Sequence, residues 1–251
     1  MKISVITAVF NAADTIADTL RSVATQTHPN VEHIVIDGAS TDATLARIDE
    51  HGAHLAKLVS EPDFGIYDAM SKGLLLATGE IVCFLNADDF YTHTHVLAMV
   101  ATEMADEKLE ALLADVVFVH PSRMDKVVRY YNAQRFQPSR LAFGAMPAHP
   151  ALFVRRRIFE RVGGFKKDYQ IAGDFEWVVR AFGGLSPVIQ HYTFLPQALV
   201  TMRLGGASTA NFKNRWRINL EMQRACRENG IRTNICKLML RYLHKLTELK
   251  F

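Results

Sequence analysis

The chain predicts an α/β fold, a mostly parallel central sheet flanked by helices, on three observations. Apolar, β-branched runs recur at 3–9, 31–36, 55–60 and 80–85, each of strand length and apolar enough to be covered on both faces. Between them the apolar residues switch to helical spacing, as at Ile16, Leu20 and Val23. The runs also end in acidic turns, at Asp37, at the loop holding Asp63 and at Asp88-Asp89. In a parallel sheet such strand ends converge on one rim, where ligands bind. Strand–helix alternation at this pace indicates parallel βαβ units.

Taken in order, the run 3–9 is the first strand, and a helix follows the turn at Asn11 until His28-Pro29-Asn30 breaks it. The second strand, 31–36, leads into Asp37-Gly38-Ala39-Ser40-Thr41-Asp42, where Ser40 or Thr41 can cap a helix carrying Leu45 and Ile48. Gly52 stops that helix before the third strand at 55–60. Pro62 and Gly65 make Glu61-Pro62-Asp63-Phe64-Gly65 a loop, and the next helix puts Ile66, Ala69, Met70, Gly73, Leu74 and Ala77 on one face. The fourth strand, 80–85, delivers Asn86, Asp88 and Asp89.

Further on, the pattern predicts a helix at 95–104, strands at 111–119 and 126–131, an extended piece at 151–154 and a short helix at 157–162. A helix with Phe175, Val178, Val179 and Phe182 on one face follows, then an extended run at 188–200 and helices at 211–228 and 234–249. The stretch 121–143 is the least patterned. Residues 1–210 read as one body, divided into halves at 1–90 and 91–210, with 211–251 as a C-terminal helical extension.

Composition excludes several classes. An apolar fraction of 49% with 22% charged residues suits a globular protein with a substantial core. No stretch approaches the roughly 20 apolar residues of a membrane span, and the apolar start is too short for a signal-peptide core. Three cysteines without a CxxC form no disulfide framework and predict a reducing, cytoplasmic setting. The net charge of +3 is uneven: between 213 and 250 ten Lys/Arg face three Glu, so the rest of the chain is mildly acidic.

The acidic pair carries the chemistry. Adjacent carboxylates at the end of a buried strand repel unless a cation sits between them, which points to a divalent metal holding a phosphorylated ligand. The alternative is a plain turn cap. Neither a Walker-type loop nor a GxGxxG fingerprint is present, so a metal and Arg or Lys from elsewhere must neutralise the phosphates. Asp and Asn oxygens with phosphate suit Mg²⁺ or Mn²⁺.

Four stretches then carry a resemblance: Ser4-Val5-Ile6-Thr7-Ala8-Val9-Phe10-Asn11, Val35-Ile36-Asp37-Gly38-Ala39-Ser40-Thr41-Asp42, Glu61-Pro62-Asp63-Phe64-Gly65-Ile66-Tyr67-Asp68-Ala69-Met70-Ser71-Lys72-Gly73 and Leu85-Asn86-Ala87-Asp88-Asp89. Residues 3–89 resemble the nucleotide-sugar-binding half of a family 2 inverting glycosyltransferase with the GT-A fold, of the kind that assembles bacterial exopolysaccharide, capsule or O-antigen. The resemblance implies that 1–90 binds the donor and 91–210 the acceptor. It implies Asp37 on the nucleotide base, Thr7 and Val9 lining it, Asp63 and Asp88 on the sugar-nucleotide, and Asp89 on the metal. Asn86 stands where many relatives carry an acid.

Ala148-His149-Pro150-Ala151-Leu152-Phe153-Val154 resembles the segment closing over the diphosphate, which makes His149 a candidate for the metal or phosphate neighbourhood; a His packed at a strand edge is the other reading. Ile171-Ala172-Gly173-Asp174-Phe175-Glu176-Trp177 resembles the segment carrying the catalytic base and assigns it to Asp174, a residue that also reads as a helix N-cap. Arg203-Leu204-Gly205-Gly206-Ala207-Ser208-Thr209 resembles a late loop, in which a mobile lid would bring Arg203 to the diphosphate; a simple connector is the alternative. One base and one metal suffice for inversion, because a nucleoside diphosphate needs no general acid once its charge is stabilised.

In the last helix Lys237, Arg241 and Lys245 form one stripe beside apolar faces, a pattern suited to an anionic membrane surface or, alternatively, to packing on the body. The resemblance adds a lipid-linked saccharide acceptor and a peripheral place on the inner face of the cytoplasmic membrane. No nucleic-acid motif accompanies the charge. The expectation is a metal-dependent, inverting hexosyltransferase using a nucleotide diphosphate sugar. A nucleotidyltransferase, which would need a Gly-rich phosphate loop that 9–14 lacks, and a non-catalytic nucleotide-sugar-binding module are its rivals.

Overall fold

The computed structural model describes residues 1–184, 186–205 and 212–242, with 212, 213 and 215 described as backbone alone. Its N-terminal part is β1 (Ile3–Val9), α1 (Ile16–Ala24), β2 (Val31–Asp37), α2 (Thr44–His51), β3 (Lys57–Ser60), α3 (Ile66–Leu76) and β4 (Ile81–Phe84). β1 pairs in parallel with β2 on one side and β4 on the other, and β3 extends the ladder beyond β2. Side chains alternate across a strand, so the uninterrupted apolar runs feed two faces at once. Ile6, Ala8, Ile34, Ile36, Val82 and Phe84 join one core with α3. Ile3, Val5, Ile81, Cys83 and Leu85 face a second core, while Val9 and Val35 meet Ile16, Leu20 and Ile48 from α1 and α2.

The sheet continues through β5 (Phe90–Tyr91), α4 (Val96–Glu103), β6 (Ala111–His120), β7 (Arg123–Tyr131), β8 (Leu152–Arg155), α5 (Arg156–Val162), α6 (Gly173–Phe182) and β9 (Tyr192–Arg203). The order is β3-β2-β1-β4-β8-β6-β9-β5, with β7 paired to β6. β8, β5 and β7 run against the rest, and the other strands share one direction. The fold is thus mixed α/β with a largely parallel sheet, as the sequence predicts.

Two regions depart from the sequence pattern. The stretch 121–143 holds β7, which contains the strand expected at 126–131 and begins three residues earlier, and then two 3₁₀ turns that the pattern did not show, Ala133–Arg135 and Pro138–Phe143. It is organised by a buried acid: Asp115 accepts hydrogen bonds from the Tyr130 hydroxyl at 2.5 Å and the Ala133 N–H at 2.8 Å. The extended run expected at 188–200 is shifted to β9, where the register slips as Ala114 pairs with Leu195 and Asp115 with Ala198. The slip leaves Pro196, which has no N–H to donate, outside the ladder.

The C-terminal helices are α7 (Phe212–Glu228) and α8 (Ile235–Met239). Met222, Ala225, Cys226 and Leu238 share one core with Trp177 and Phe182, so these helices are packed into the body. Part of the basic excess serves that packing. Arg224 pairs with Asp168 and Glu228, and Arg217 donates to Gln170. In the expected basic stripe, Arg241 turns inward, donating to the Met222 sulfur at 2.8 Å and lying over the Tyr242 ring, while Lys245 falls outside the described residues. No helix among the described residues is long and apolar enough to cross a membrane, and all three cysteines are free.

At the end of the sheet away from the acidic rim, Glu32 is buried and accepts from Lys2 Nζ at 2.7 Å, Ser4 Oγ at 2.6 Å and the Thr78 N–H at 2.8 Å. Burial pushes its carboxyl up, but these donors outweigh it and hold it at about 2. A carboxyl depressed in the folded state stabilises above its unfolded value and loses that contribution as pH falls toward the folded one. Glu32→Gln is therefore expected to cost about 2 kcal/mol at pH 7. Urea titrations should show that deficit shrinking from pH 5 to pH 3; a pH-independent difference contradicts the assignment.

Candidate active site

β2 ends at the fully buried Asp37. Its carboxylate accepts from Ser40 Oγ at 2.5 Å, the Ser40 N–H at 3.1 Å and Ser60 Oγ at 2.7 Å, Ser60 being the last residue of β3. Asn11, just past β1 at a φ of 48°, donates its N–H to Ser40 Oγ at 2.8 Å and accepts the Thr41 N–H at 2.9 Å. The ends of β1, β2 and β3 are therefore laced together. Asp63 reaches the same place: a Cβ added at Gly38 would fall 2.5 Å from Asp63 Oδ2, so the carboxylate lies directly against the turn after β2. Thr7 and Val9 lie beneath this rim with buried side chains, and Thr7 Oγ1 sits 3.0 Å from His33 Nε2. They support the strand end and present no side chain to its surface. Phe10 and Phe64, unassigned in the sequence reading, flank it with exposed rings, Phe64 at 88%.

The turn after β4 has a different construction. Its main chain is tied on both sides: Thr19 Oγ1 of α1 donates to the Asp89 carbonyl at 2.7 Å, and Arg203 Nη1 donates to the Asp88 carbonyl at 2.6 Å. The side chains are not satisfied. Asp89 is 1% exposed, and among the described residues neither of its carboxylate oxygens has a hydrogen-bond partner, nor does Asn86 Oδ1. Burial pushes the Asp89 carboxyl far above the usual range, with Asp88 pushing the same way and both Arg203 and the neighbouring Asn86 side chain opposing. Burial also raises Asp88, again against Arg203. Arg203 itself is 8% exposed, ion-paired to Asp18 of α1, with its guanidinium 5.0 Å from the centre of the Phe90 ring. Its charge is committed to the acidic turn; the loop that would carry it as a lid, 206–211, lies outside the described residues.

An orphaned buried carboxylate beside a second acid and an amide oxygen is what a hard divalent cation completes. Asp89, with Asp88 beside it, could hold such a cation, and its hard oxygen donors suit Mg²⁺ or Mn²⁺. Among the described residues no three His, Cys, Asp or Glu side chains gather into an all-protein cage. His149 belongs to another group. Its ring stacks on Phe84 at 5.2 Å and meets Phe165 at 5.7 Å. Burial lowers its pKa while nearby Asp174 opposes that.

Asp174 is the second residue of α6 and half-buried. Its Oδ1 accepts from the Phe175 N–H at 2.8 Å and lies 3.2 Å from the Tyr67 hydroxyl; among the described residues no hydrogen bond reaches Oδ2. Glu176, the other acid of this segment, is fully buried and paired with Arg180 and Lys166, so it is not free to take a proton from an acceptor. Phe165 touches Phe84, His149 and Tyr67, with centroids 5.1, 5.7 and 5.9 Å away, so one aromatic group joins β4 to the neighbourhood of Asp174. Sequence reasoning missed Thr19, Asp18 and Tyr67 as supports. Tyr67 stands within a quoted motif, whereas nothing local marks the other two.

Comparison with known proteins agrees with this architecture. The chain is 29% identical over 236 residues to a PGL/p-HBAD biosynthesis glycosyltransferase of Mycobacterium bovis, covering 85% of this chain and 90% of that protein. It is 31% identical over 189 residues to an uncharacterised glycosyltransferase of Mycobacterium tuberculosis, covering 74% of this chain and 71% of the relative. Among solved structures it is similar to S. aureus TarS, with a TM-score of 0.69 and 20% identity over 98% of this chain, though it spans only 43% of that one. It is also similar to the mannosyltransferase PcManGT from Pyrobaculum calidifontis, solved with GDP-Man and Mn²⁺, with a TM-score of 0.64 and 22% identity over 90% of this chain and 63% of that one. These structural likenesses establish a GT-A-type fold. The family model described as glycosyl transferase family 2 matches residues 4–163, and the chain belongs to that family.

Proposed function

We propose that this glycosyltransferase is a metal-dependent, inverting enzyme that moves one hexose from a nucleoside diphosphate sugar to a saccharide hydroxyl, with Asp174 as base. The observation that carries the reading is the pairing of two unlike carboxylates. Asp89 is buried without a partner, and Asp174 is half-buried with Oδ2 left for an incoming hydroxyl. The donor's base and ribose would lie over Asp37 and Asp63, its diphosphate toward Asp88 and Asp89. The acceptor oxygen attacks the anomeric carbon as Asp174 takes its proton, and the bond from that carbon to the diphosphate oxygen breaks on the opposite face. Asp89 and Asp88 would hold the divalent cation, which would supply positive charge for the departing diphosphate. Arg203 holds the turn that presents both acids.

The acceptor side of the proposal is a lipid-linked saccharide met at an anionic membrane surface, in cell-surface polysaccharide synthesis. Trp216, Leu220, Met239 and Leu240 expose apolar surface on α7 and α8, within a segment where Lys and Arg outnumber Glu. On this reading the protein is peripheral at the cytoplasmic face, and the exposed apolar residues support a membrane contact.

Slow hydrolysis of a panel of UDP-glucose, UDP-galactose, UDP-GlcNAc and GDP-mannose with Mn²⁺ should identify the donor. Asp174→Asn is expected to lower turnover by about 10²- to 10⁴-fold with donor affinity within about twofold. Full turnover in that variant removes Asp174 from the mechanism. Mn²⁺ with UDP should raise the melting temperature of the wild type and not of Asp89→Asn. In EDTA, where the orphaned carboxylate only costs stability, Asp89→Asn should be more stable than wild type by about 1 kcal/mol. A wild type indifferent to Mn²⁺ in calorimetry refutes the metal assignment.

A further inference from the structure

The segment that presents Asp174 is gripped from both sides by residues distant in the chain. Residues 170–172 precede α6 without helix or strand of their own. Glu221 of α7 lies against them, its Oε1 accepting the Gln170 N–H at 3.1 Å and its Oε2 the N–H groups of Ile171 at 2.9 Å and Ala172 at 2.8 Å. Three amides on one carboxylate make a charge-assisted set that no neutral side chain reproduces. Tyr67 of α3 closes the other side. Its hydroxyl donates to the Ile171 carbonyl at 2.7 Å and lies 3.2 Å from Asp174 Oδ1. Its ring packs so closely on the backbone that a Cβ at Gly173 would fall 2.8 Å from Cδ2.

We infer that Tyr67 and Glu221 are positioning residues for Asp174, together setting the direction in which its free oxygen Oδ2 faces the acceptor hydroxyl. The inference rests on the proposed role of Asp174 as base. A carboxylate on an unbraced peptide would wander, and a displacement of about 1 Å at the reacting group costs on the order of 100-fold in rate. The grip also uses what the mechanism leaves idle: Tyr67 is buried and touches no donor-site acid, and Glu221 is one of three acids in a basic segment. α7 is thereby part of the catalytic apparatus.

The test is steady-state hydrolysis of the panel nucleotide sugar that the wild type turns over fastest, with Mn²⁺, in Tyr67→Phe, Glu221→Gln and each combined with Asp174→Asn. Tyr67→Phe should lower kcat by about tenfold and Glu221→Gln by about 30- to 100-fold, with donor KM within about twofold. In the Asp174→Asn background neither change should lower the residual rate further, because the group being aimed is gone. Wild-type kcat in both single variants, or the same fold loss without Asp174, overturns the inference. Hydrogen exchange supplies an arm independent of turnover: in Glu221→Gln the amides of residues 170–172 should exchange at least about tenfold faster while the rest of α6 is unchanged. Unchanged exchange there overturns the grip itself. Should Glu221→Gln fail to fold, Glu221→Asp and Tyr67→Phe carry the same comparison. Full turnover in Asp174→Asn sinks the assignment of the base. An inactive Asp174→Asn beside unaffected Tyr67 and Glu221 variants sinks this inference alone.

Discussion

The structure is organised around a buried carboxylate that the protein does not satisfy. Asp89 lies in a turn whose carbonyls are tied to α1 by Thr19 and to β9 by Arg203, so the turn cannot relax to hydrate its acid. An uncompensated buried acid costs several kcal/mol or gives up its charge, and burial pushes the Asp89 carboxyl in that direction. Such a group persists in a folded protein when something outside the chain completes it. The elements around it follow from that need. α1 supplies Thr19 and Asp18, β9 supplies Arg203, and Phe90 provides the ring under the guanidinium. Arg203 thus acts as a bracket across strands far apart in sequence.

The proposed base is held in another way. Where Asp89 sits on the end of a rigid strand, Asp174 begins a helix that follows an irregular segment, and its precision is borrowed from α3 and α7. α3 begins directly after the loop holding Asp63, which touches Gly38 beside Asp37. The donor rim and the base therefore share one helix, and the aromatic group of Phe84, His149 and Phe165 fills the space between β4 and that helix. A rotation of α3 would disturb the donor rim and the base at once, which gives a physical reason for both contacts to lie on the same element.

What the sequence made legible was whatever periodicity or local chemistry writes down. The apolar runs of β1, β2 and β4 fixed the parallel half because residues on both faces are buried, and no other pattern fits that burial. The acidic strand ends were visible because Asp37, Asp63, Asp88 and Asp89 each follow such a run or its loop. Side-chain direction was not visible. Thr7 turns to His33, Arg203 inward to Asp18 and Arg241 to Met222, each by a partner more than fifteen residues away. Both arms of the β6–β7 hairpin were legible, but the turns that follow were not, because a single buried acid, Asp115, ties Ala133 and Tyr130 in place of a hydrophobic period. Glu221 was invisible for the same reason: its three amide partners lie on a segment without secondary structure.

The basic tail is explained by two demands acting on one helix pair. Arg217 and Arg224 are spent on contacts with the body and Arg241 on Met222 of α7, and with Leu238 they hold α7 where Glu221 can reach the segment before Asp174. Charge used in that way is not available to a membrane. The outward face keeps Trp216, Leu220, Met239 and Leu240, so apolar surface takes a larger share in any membrane contact than the composition of the tail implies. Because the same helix carries that face and Glu221, force applied to α7 by a surface would be felt at the peptide that aims the base. The tail is then a mechanical part of the site as well as a candidate anchor.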